Sequence, residues 1–205
     1  MAAHIVDMNH PAIRVILICC EGKTEKQYFE MIADIFRVHT IKTIEIMGGR
    51  GQHRPLIDRT VDEREILAGK LDIGQNEISA WAVCDEDKMS CSFHELSQYA
   101  EARSVALAFS RPQFEAYLLQ HFEQSKETRA DKLYVKLSKR GAQFGLAGDY
   151  QDNKANLSWL NRAIFNDPHL VDIAIVNSDL RQKQSGNLFL TVQRLTEFLV
   201  SLEPK

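Results

Sequence analysis

Three things are scarce in this chain. It carries 4 cysteines in 205 residues, with no CxxC among them, and Cys19, Cys20 and Cys84 lie in or at the end of apolar runs, where a free thiol packs like a small hydrophobe. A disulfide or zinc framework is therefore not expected. No run approaches the roughly 18 uninterrupted apolar residues of a membrane span, and the opening MAAHIVDMNH lacks the basic-then-apolar pattern of a secretory signal. These absences point to a cytoplasmic protein with no membrane association. Positive charge is not in excess either: 25 Lys and Arg against 28 Asp and Glu give a formal net charge of -3. Coating a nucleic acid by charge alone is excluded, because non-specific phosphate binding relies on many lysines and arginines. An enzyme with one local basic surface, and a metal to offset its own acids, remains compatible. There is no internal repeat and no low-complexity segment.

What is present is an ordinary globular composition, 44% hydrophobic and 26% charged, suited to one large domain with a helical addition. Arg14 to Cys20 (RVILICC) is too short for a helix and rich in β-branched residues, which suits a strand buried on both faces. Apolar residues at Tyr28, Phe29, Ile32, Ile35 and Phe36 then mark one face of a helix starting near Thr24. Ile41 to Met47 reads as a second strand, Leu56 to Lys70 as a surface helix, Ile78 to Cys84 (ISAWAVC) as a third strand, Phe93 to Arg103 as a helix and Ser104 to Ser110 as a fourth strand. Such alternation predicts an α/β fold, a mostly parallel sheet flanked by helices. After Pro112 the spacing of Phe114, Tyr117, Leu118, His121 and Phe122 predicts another amphipathic helix, with His121 a buried, hydrogen-bonded histidine. Lys132 to Arg140, Lys154 to Phe165 and Thr191 to Leu202 read as helices, and Leu170 to Val176 is open between strand and helix. Gly48 to Gly51, Gly141 to Asn153 and Arg181 to Asn187 read as loops. The expected organisation is an α/β core over residues 1–123 and a mainly helical C-terminal elaboration over 124–205, packed on the core.

Two of the predicted strands end in acid. Glu21 follows RVILICC, and Asp85, Glu86 and Asp87 follow ISAWAVC. Ligands of open α/β sheets gather at the carboxyl ends of parallel strands, and if extended geometry persists, alternation puts Asp85 and Asp87 on one side and Glu86 on the other. Hard oxygen donors in this arrangement suit Mg²⁺ or Mn²⁺, which bind through one or two carboxylates plus waters and phosphate oxygens. With two ions, one activates a water and the other stabilises a leaving oxygen. Like charges gathered at strand ends are otherwise destabilising. The competing reading is that these acids only end strands and cap helices.

The run ICCEGKTEKQYFE, then VCDEDK, then SRPQFEAYLLQHFE resembles the RloB family, whose core is similar to a Toprim domain, over about residues 14 to 123. That resemblance implies a Mg²⁺-dependent enzyme of phosphodiester chemistry, with Glu21 matching the glutamate after the first strand and Asp85 and Asp87 matching the later Asp-x-Asp, all three as metal ligands. Glu25 and Glu115 match recurring acids of the pattern and complete the candidate catalytic set. It also implies a bacterial antiphage role, often beside an AAA-type ATPase. The tail, in particular VDIAIVNSDLRQKQSGNLF, matches less clearly.

Gly22-Lys23-Thr24 invites a P-loop reading, which fails because the glycine required five positions before Gly22 is Leu17, inside a strand. Lys23 either contacts a phosphate or stands in solvent beside an N-capping Thr24. Glu25 and Glu115 are either part of the site or favourable acids at helix starts. Arg50, in its glycine loop, either meets phosphate or sits in a plain turn. Arg129, Lys132, Lys136 and Lys139 recur near helical spacing, as a track for a phosphate backbone or as a solvated face. No Ser, Thr or Tyr stands out as a covalent nucleophile, and Tyr28 and Tyr117 lie on apolar faces. Hydrolysis of DNA or RNA by a nuclease is the leading expectation; the other is a non-catalytic adaptor that acts through a partner ATPase.

Overall fold

The computed structural model of the protein describes residues 13–40, 42–184 and 190–202. Four strands, β1 (Val15–Cys20), β2 (Thr43–Met47), β3 (Ile78–Asp85) and β4 (Ala106–Ser110), form one sheet in the order β2-β1-β3-β4. Every pairing is parallel. Eight α-helices accompany the sheet among the described residues: α1 (Lys23–Ile35), α2 (His53–Leu71), α3 (Phe93–Glu101), α4 (Glu115–Gln120), α5 (Ala130–Ala142), α6 (Ser158–Asn166), α7 (His169–Gln184) and α8 (Val192–Ser201). None is long and apolar enough to cross a membrane.

The two faces of the sheet follow from strand alternation. Ile16, Ile18, Cys20, Trp81, Val83 and Ala108 face a large cluster that takes in α1, α4 and the helices from α5 to α8. Val15, Leu17, Cys19, Ala80, Ala82, Cys84 and Phe109 face a smaller one with α2 and α3. Strands buried on both sides explain why RVILICC and ISAWAVC are apolar throughout rather than alternating. The large cluster joins Ile16 and Tyr28 to Leu133, Leu137, Tyr150, Trp159 and Leu199, so residues beyond 123 share the core of the sheet. On β4, Leu190 forms an antiparallel bridge to Ser110, and the Thr191 hydroxyl accepts from the Phe109 N–H at 2.9 Å and donates to the Leu107 carbonyl at 3.1 Å.

Strand order positions the site. From β1 the chain steps to β2 through α1 on one face, then returns past β1 to β3 and β4 through α2 and α3 on the other. Parallel crossovers keep one hand, so a change of direction requires a change of face. The switch opens a crevice between the carboxyl ends of β1 and β3.

In the C-terminal part the structure decides one reading left open and differs from the sequence expectation in two places. Leu170 to Val176 is helical, inside α7; its apolar residues surround the helix, with Val171 and Ala174 buried and Ile173 and Val176 exposed, so no period betrayed it. The loop expected from Arg181 begins later, because α7 runs to Gln184; the buried Arg181 guanidinium holds the helix by donating to the carbonyls of Ser125, Arg111 (3.0 Å) and Glu127 (3.0 Å). The remainder of that predicted loop, like Ile41 and the opening decapeptide, lies outside the described residues. Lys154, expected to open a helix, instead follows a 3-10 turn over Tyr150–Asn153, and α6 starts at Ser158.

Candidate active site

Glu21 and Asp85 leave adjacent strands at the same edge of the sheet, one residue beyond the Cys20–Val83 pair and two beyond it respectively. The Glu21 N–H donates to the Val83 carbonyl at 3.0 Å. Its Oε1 accepts from Gln52 Nε2 at 2.6 Å. The other oxygen, Oε2, is buried with no hydrogen-bond partner, an orphaned acceptor of the kind that calls for a cation or a proton. Burial first, and then the Asp85 charge, raise the Glu21 carboxyl above its ordinary pKa.

Asp85 is half-buried. It accepts from the Asp87 N–H at 2.9 Å, and burial is the main cause that raises its pKa, with the Asp87 charge adding to it. His53, buried at the start of α2, hydrogen-bonds the Asp85 carbonyl oxygen through Nε2 at 3.0 Å. The chain turns at once after β3, so the extended alternation expected for the acids does not persist. Asp87 is exposed at the rim, 3.7 Å from Lys88, and Glu86 is ion-paired to Arg111.

Glu25 and Glu115 come to this crevice from below. They are 7% and 6% exposed. Burial pushes Glu25 up to about 7, with the charges of Asp85, Glu115 and Glu21 acting in the same direction. Glu115 is raised mainly by burial, opposed by Lys154, and accepts from the Tyr150 hydroxyl at 3.3 Å. Gly22 is explained here. A Cβ at Gly22 would stand 2.7 Å from Glu25 Oε2, so the glycine makes room for a carboxyl rather than wrapping a phosphate. The structure thus brings Glu21, Glu25, Asp85 and Glu115 within one another's electrostatic reach and leaves Asp87 at the edge.

The cations are distributed less simply. Lys23 is exposed in the first turn of α1, whose cap position is Gly22, and the Thr24 hydroxyl donates to the Lys154 carbonyl at 3.3 Å instead of capping. Arg50 lies over the end of β1, its N–H donating to the Cys20 carbonyl at 3.3 Å, while its guanidinium is 3.5 Å from Glu63. On α5, Lys136 and Arg140 both pair with Glu123, at 2.9 and 3.0 Å, and Lys132 and Lys139 are exposed; Arg129, just before the helix, pairs with Asp131 at 2.8 Å. His121 is fully buried, bonded to the Tyr28 hydroxyl and the Leu118 carbonyl, and burial lowers its pKa to about 4. Tyr28 and Tyr117 are buried beside it, away from any role as nucleophile.

Gln52, His53, Tyr150 and Lys154 were not singled out by sequence. The first two had a signal: they follow the Gly48–Gly51 loop at the ligand edge directly. Tyr150 and Lys154 had none, because only tertiary packing carries them there. Among the described residues no group of three or more His, Cys, Asp or Glu side chains is gathered closely enough to enclose a metal ion. The donor set still fits a hard divalent cation, since Glu21 keeps an unused oxygen, its neighbours are carboxylates that resist ionisation together, and such ions take much of their coordination from water and phosphate. A family model described as RloB-like protein matches residues 16–199, whereas no curated protein and no solved structure matches the chain. Because that span runs from the first strand of the sheet into the last helix, the chain belongs to the RloB-like family.

Proposed function

We propose that this RloB-like protein is a divalent-metal-dependent, Toprim-like nuclease that hydrolyses a phosphodiester of DNA or RNA in the cytoplasm, as effector of a bacterial antiphage system. The observation that carries this reading is the orphaned Oε2 of Glu21 beside Asp85 at the switch point of the sheet. Mg²⁺ or Mn²⁺ would be held by Glu21 and Asp85, with Asp87 reaching from the rim, and when bound would supply Lewis-acid stabilisation of charge on the phosphate. The chain's own groups do the rest. Gln52 fixes the rotamer of Glu21, and the Asp87 amide fixes Asp85, so both acceptors are preorganised. Glu25, which burial pushes up to about 7 without metal, is placed to take a proton from an attacking water or give one to a leaving oxygen. Tyr150 holds Glu115 in place behind it. Lys23, Arg50 and the α5 residues Lys132 and Lys139 supply positive charge for the flanking backbone.

Asp85→Asn and Glu21→Gln test this reading. Each is expected to abolish Mn²⁺-dependent cleavage of labelled DNA or RNA and to weaken Mn²⁺ binding measured by electron paramagnetic resonance, while circular dichroism stays unchanged. Cleavage that persists in both variants would sink it. A second reading, an adaptor docking to an AAA-type ATPase, has its own support in α7, where Ile173, Val176 and Leu180 form an exposed apolar stripe. It predicts wild-type protein with no cleavage under any metal, and loss of ATPase binding on Val176→Glu.

A further inference from the structure

We propose that Lys154 grips the phosphate on which the acids act, an inference that rests on the nuclease reading. A phosphodiester carried to four carboxylates is repelled by them, and a cation beyond the metal must offset its charge. Lys154 is placed to do so. Its Nζ is 4.0 Å from Glu115 Oε1 and donates to the Tyr134 hydroxyl at 2.5 Å, and the Tyr134 hydroxyl in turn donates to Gln113 Oε1 at 3.2 Å. The ammonium also lies 4.1 Å from the centre of the Tyr134 ring.

A lysine present only to neutralise Glu115 would bond it directly, as Lys136 bonds Glu123 at 2.9 Å. Here Tyr150 makes that bond, and the ammonium of Lys154 stands off with donors to spare and its side chain 40% exposed. Its backbone is held nonetheless. The Lys154 carbonyl accepts from Thr24, one residue before Glu25, and the preceding Asn153 side chain donates to the carbonyls of Ala147 and Asp149. A long, flexible side chain anchored at its base and aimed by a phenol meets a phosphate at little entropic cost. Of the other cations of the edge, Arg111 is paired with Glu86, and Lys23 and Arg50 are the ones assigned above to the flanking backbone.

The test compares wild type with Lys154→Met, Lys154→Arg and Tyr134→Phe. Binding of fluorescein-labelled single-stranded DNA, duplex DNA and RNA is followed by anisotropy at several salt concentrations with Ca²⁺, and cleavage with Mn²⁺. Lys154→Met is expected to bind about tenfold or more weakly. Its slope of log binding constant against log salt should fall by about 0.7 to 0.9, one phosphate contact fewer, with Lys154→Arg restoring most of that slope. A merely structural ion pair gives the opposite result, a lower melting temperature and an unchanged slope, and overturns the proposal. Should Lys154→Met not fold, Tyr134→Phe decides: it keeps the charge and removes the hydroxyl that aims it, and unchanged binding and cleavage overturn the proposal. Wild type that cleaves, with Lys154→Met cleaving equally, overturns this inference alone. Wild type that neither binds nor cuts any of the three polymers overturns the nuclease reading and this inference with it.

Discussion

Glu25 and His121 are buried in the same half of the molecule and respond to acid in opposite directions. The Glu25 carboxyl goes from 4.5 to about 7 on folding, so the folded state holds the proton more tightly and acid favours it. That contribution is fully present below about pH 4.5 and is lost as pH rises through about 7, a change on the order of 3 kcal/mol at most. His121 goes from 6.5 to about 4, so the folded state refuses the proton, and its contribution is present above about 6.5 and lost as pH falls toward 4. In metal-free buffer Glu25→Gln is expected to be more stable than wild type at about pH 8, by about 1 to 3 kcal/mol. It should also lose stability more steeply on acidification, because a contribution that acid strengthens is then gone and that of the histidine is less opposed. Urea denaturation at about pH 5 and pH 8 checks both signs, and a variant whose pH dependence matches wild type removes Glu25 from the account. For wild type, the same repulsion predicts that Mn²⁺ raises the melting temperature more at pH 8 than at pH 5.

At the scale of elements, α5 meets α6 through Gly141. A Cβ there would stand 2.7 Å from Leu146 Cδ2, 2.9 Å from Leu146 Cβ and 3.2 Å from the Trp159 ring. Alanine gains up to about 1 kcal/mol of helix propensity, but overpacking a filled core costs about 1 to 3 kcal/mol. Gly141→Ala is therefore expected to destabilise by about 1 to 2 kcal/mol in thermal or urea unfolding, and a stabilised variant would show that the contact yields. On the same helix, Lys132→Glu with Lys139→Glu should change stability by less than about 0.5 kcal/mol, since both side chains are exposed. If the face tracks a nucleic acid, the pair flattens the salt dependence of binding. Elements were read from sequence where burial writes a pattern. RVILICC and ISAWAVC were legible because strands covered on both faces have few alternatives, and α1 because its apolar positions recur every three or four residues. In α7 apolar residues lie all round, and the period vanishes. The site was legible to the same depth: Glu21 and Asp85 stand at strand ends, which local sequence marks, whereas Tyr150 and Lys154 reach it through long-range packing, which it does not.

For the whole molecule, one apolar cluster runs from Ile16 on β1 to Leu199 on α8, and Arg181 ties α7 to the carbonyls of Arg111, Ser125 and Glu127. The chain is therefore expected to unfold in one cooperative step, seen as coincident circular dichroism and tryptophan fluorescence transitions. A chain ending after residue 123 should fail to give a dispersed nuclear magnetic resonance spectrum, because Tyr117, Leu118 and Phe114 would lose the residues that cover them. The clip of Leu190 and Thr191 on β4 bears on a different matter, the chain's behaviour at high concentration. An open parallel sheet has two margins at which a foreign strand can add, and each unpaired margin is a seed for aggregation. Here Thr191 occupies the Phe109 amide and the Leu107 carbonyl, and Leu190 bridges Ser110, which closes one margin from within. Among the described residues the other margin is β2, where exposed Glu45 sets a carboxylate in the path of an added strand.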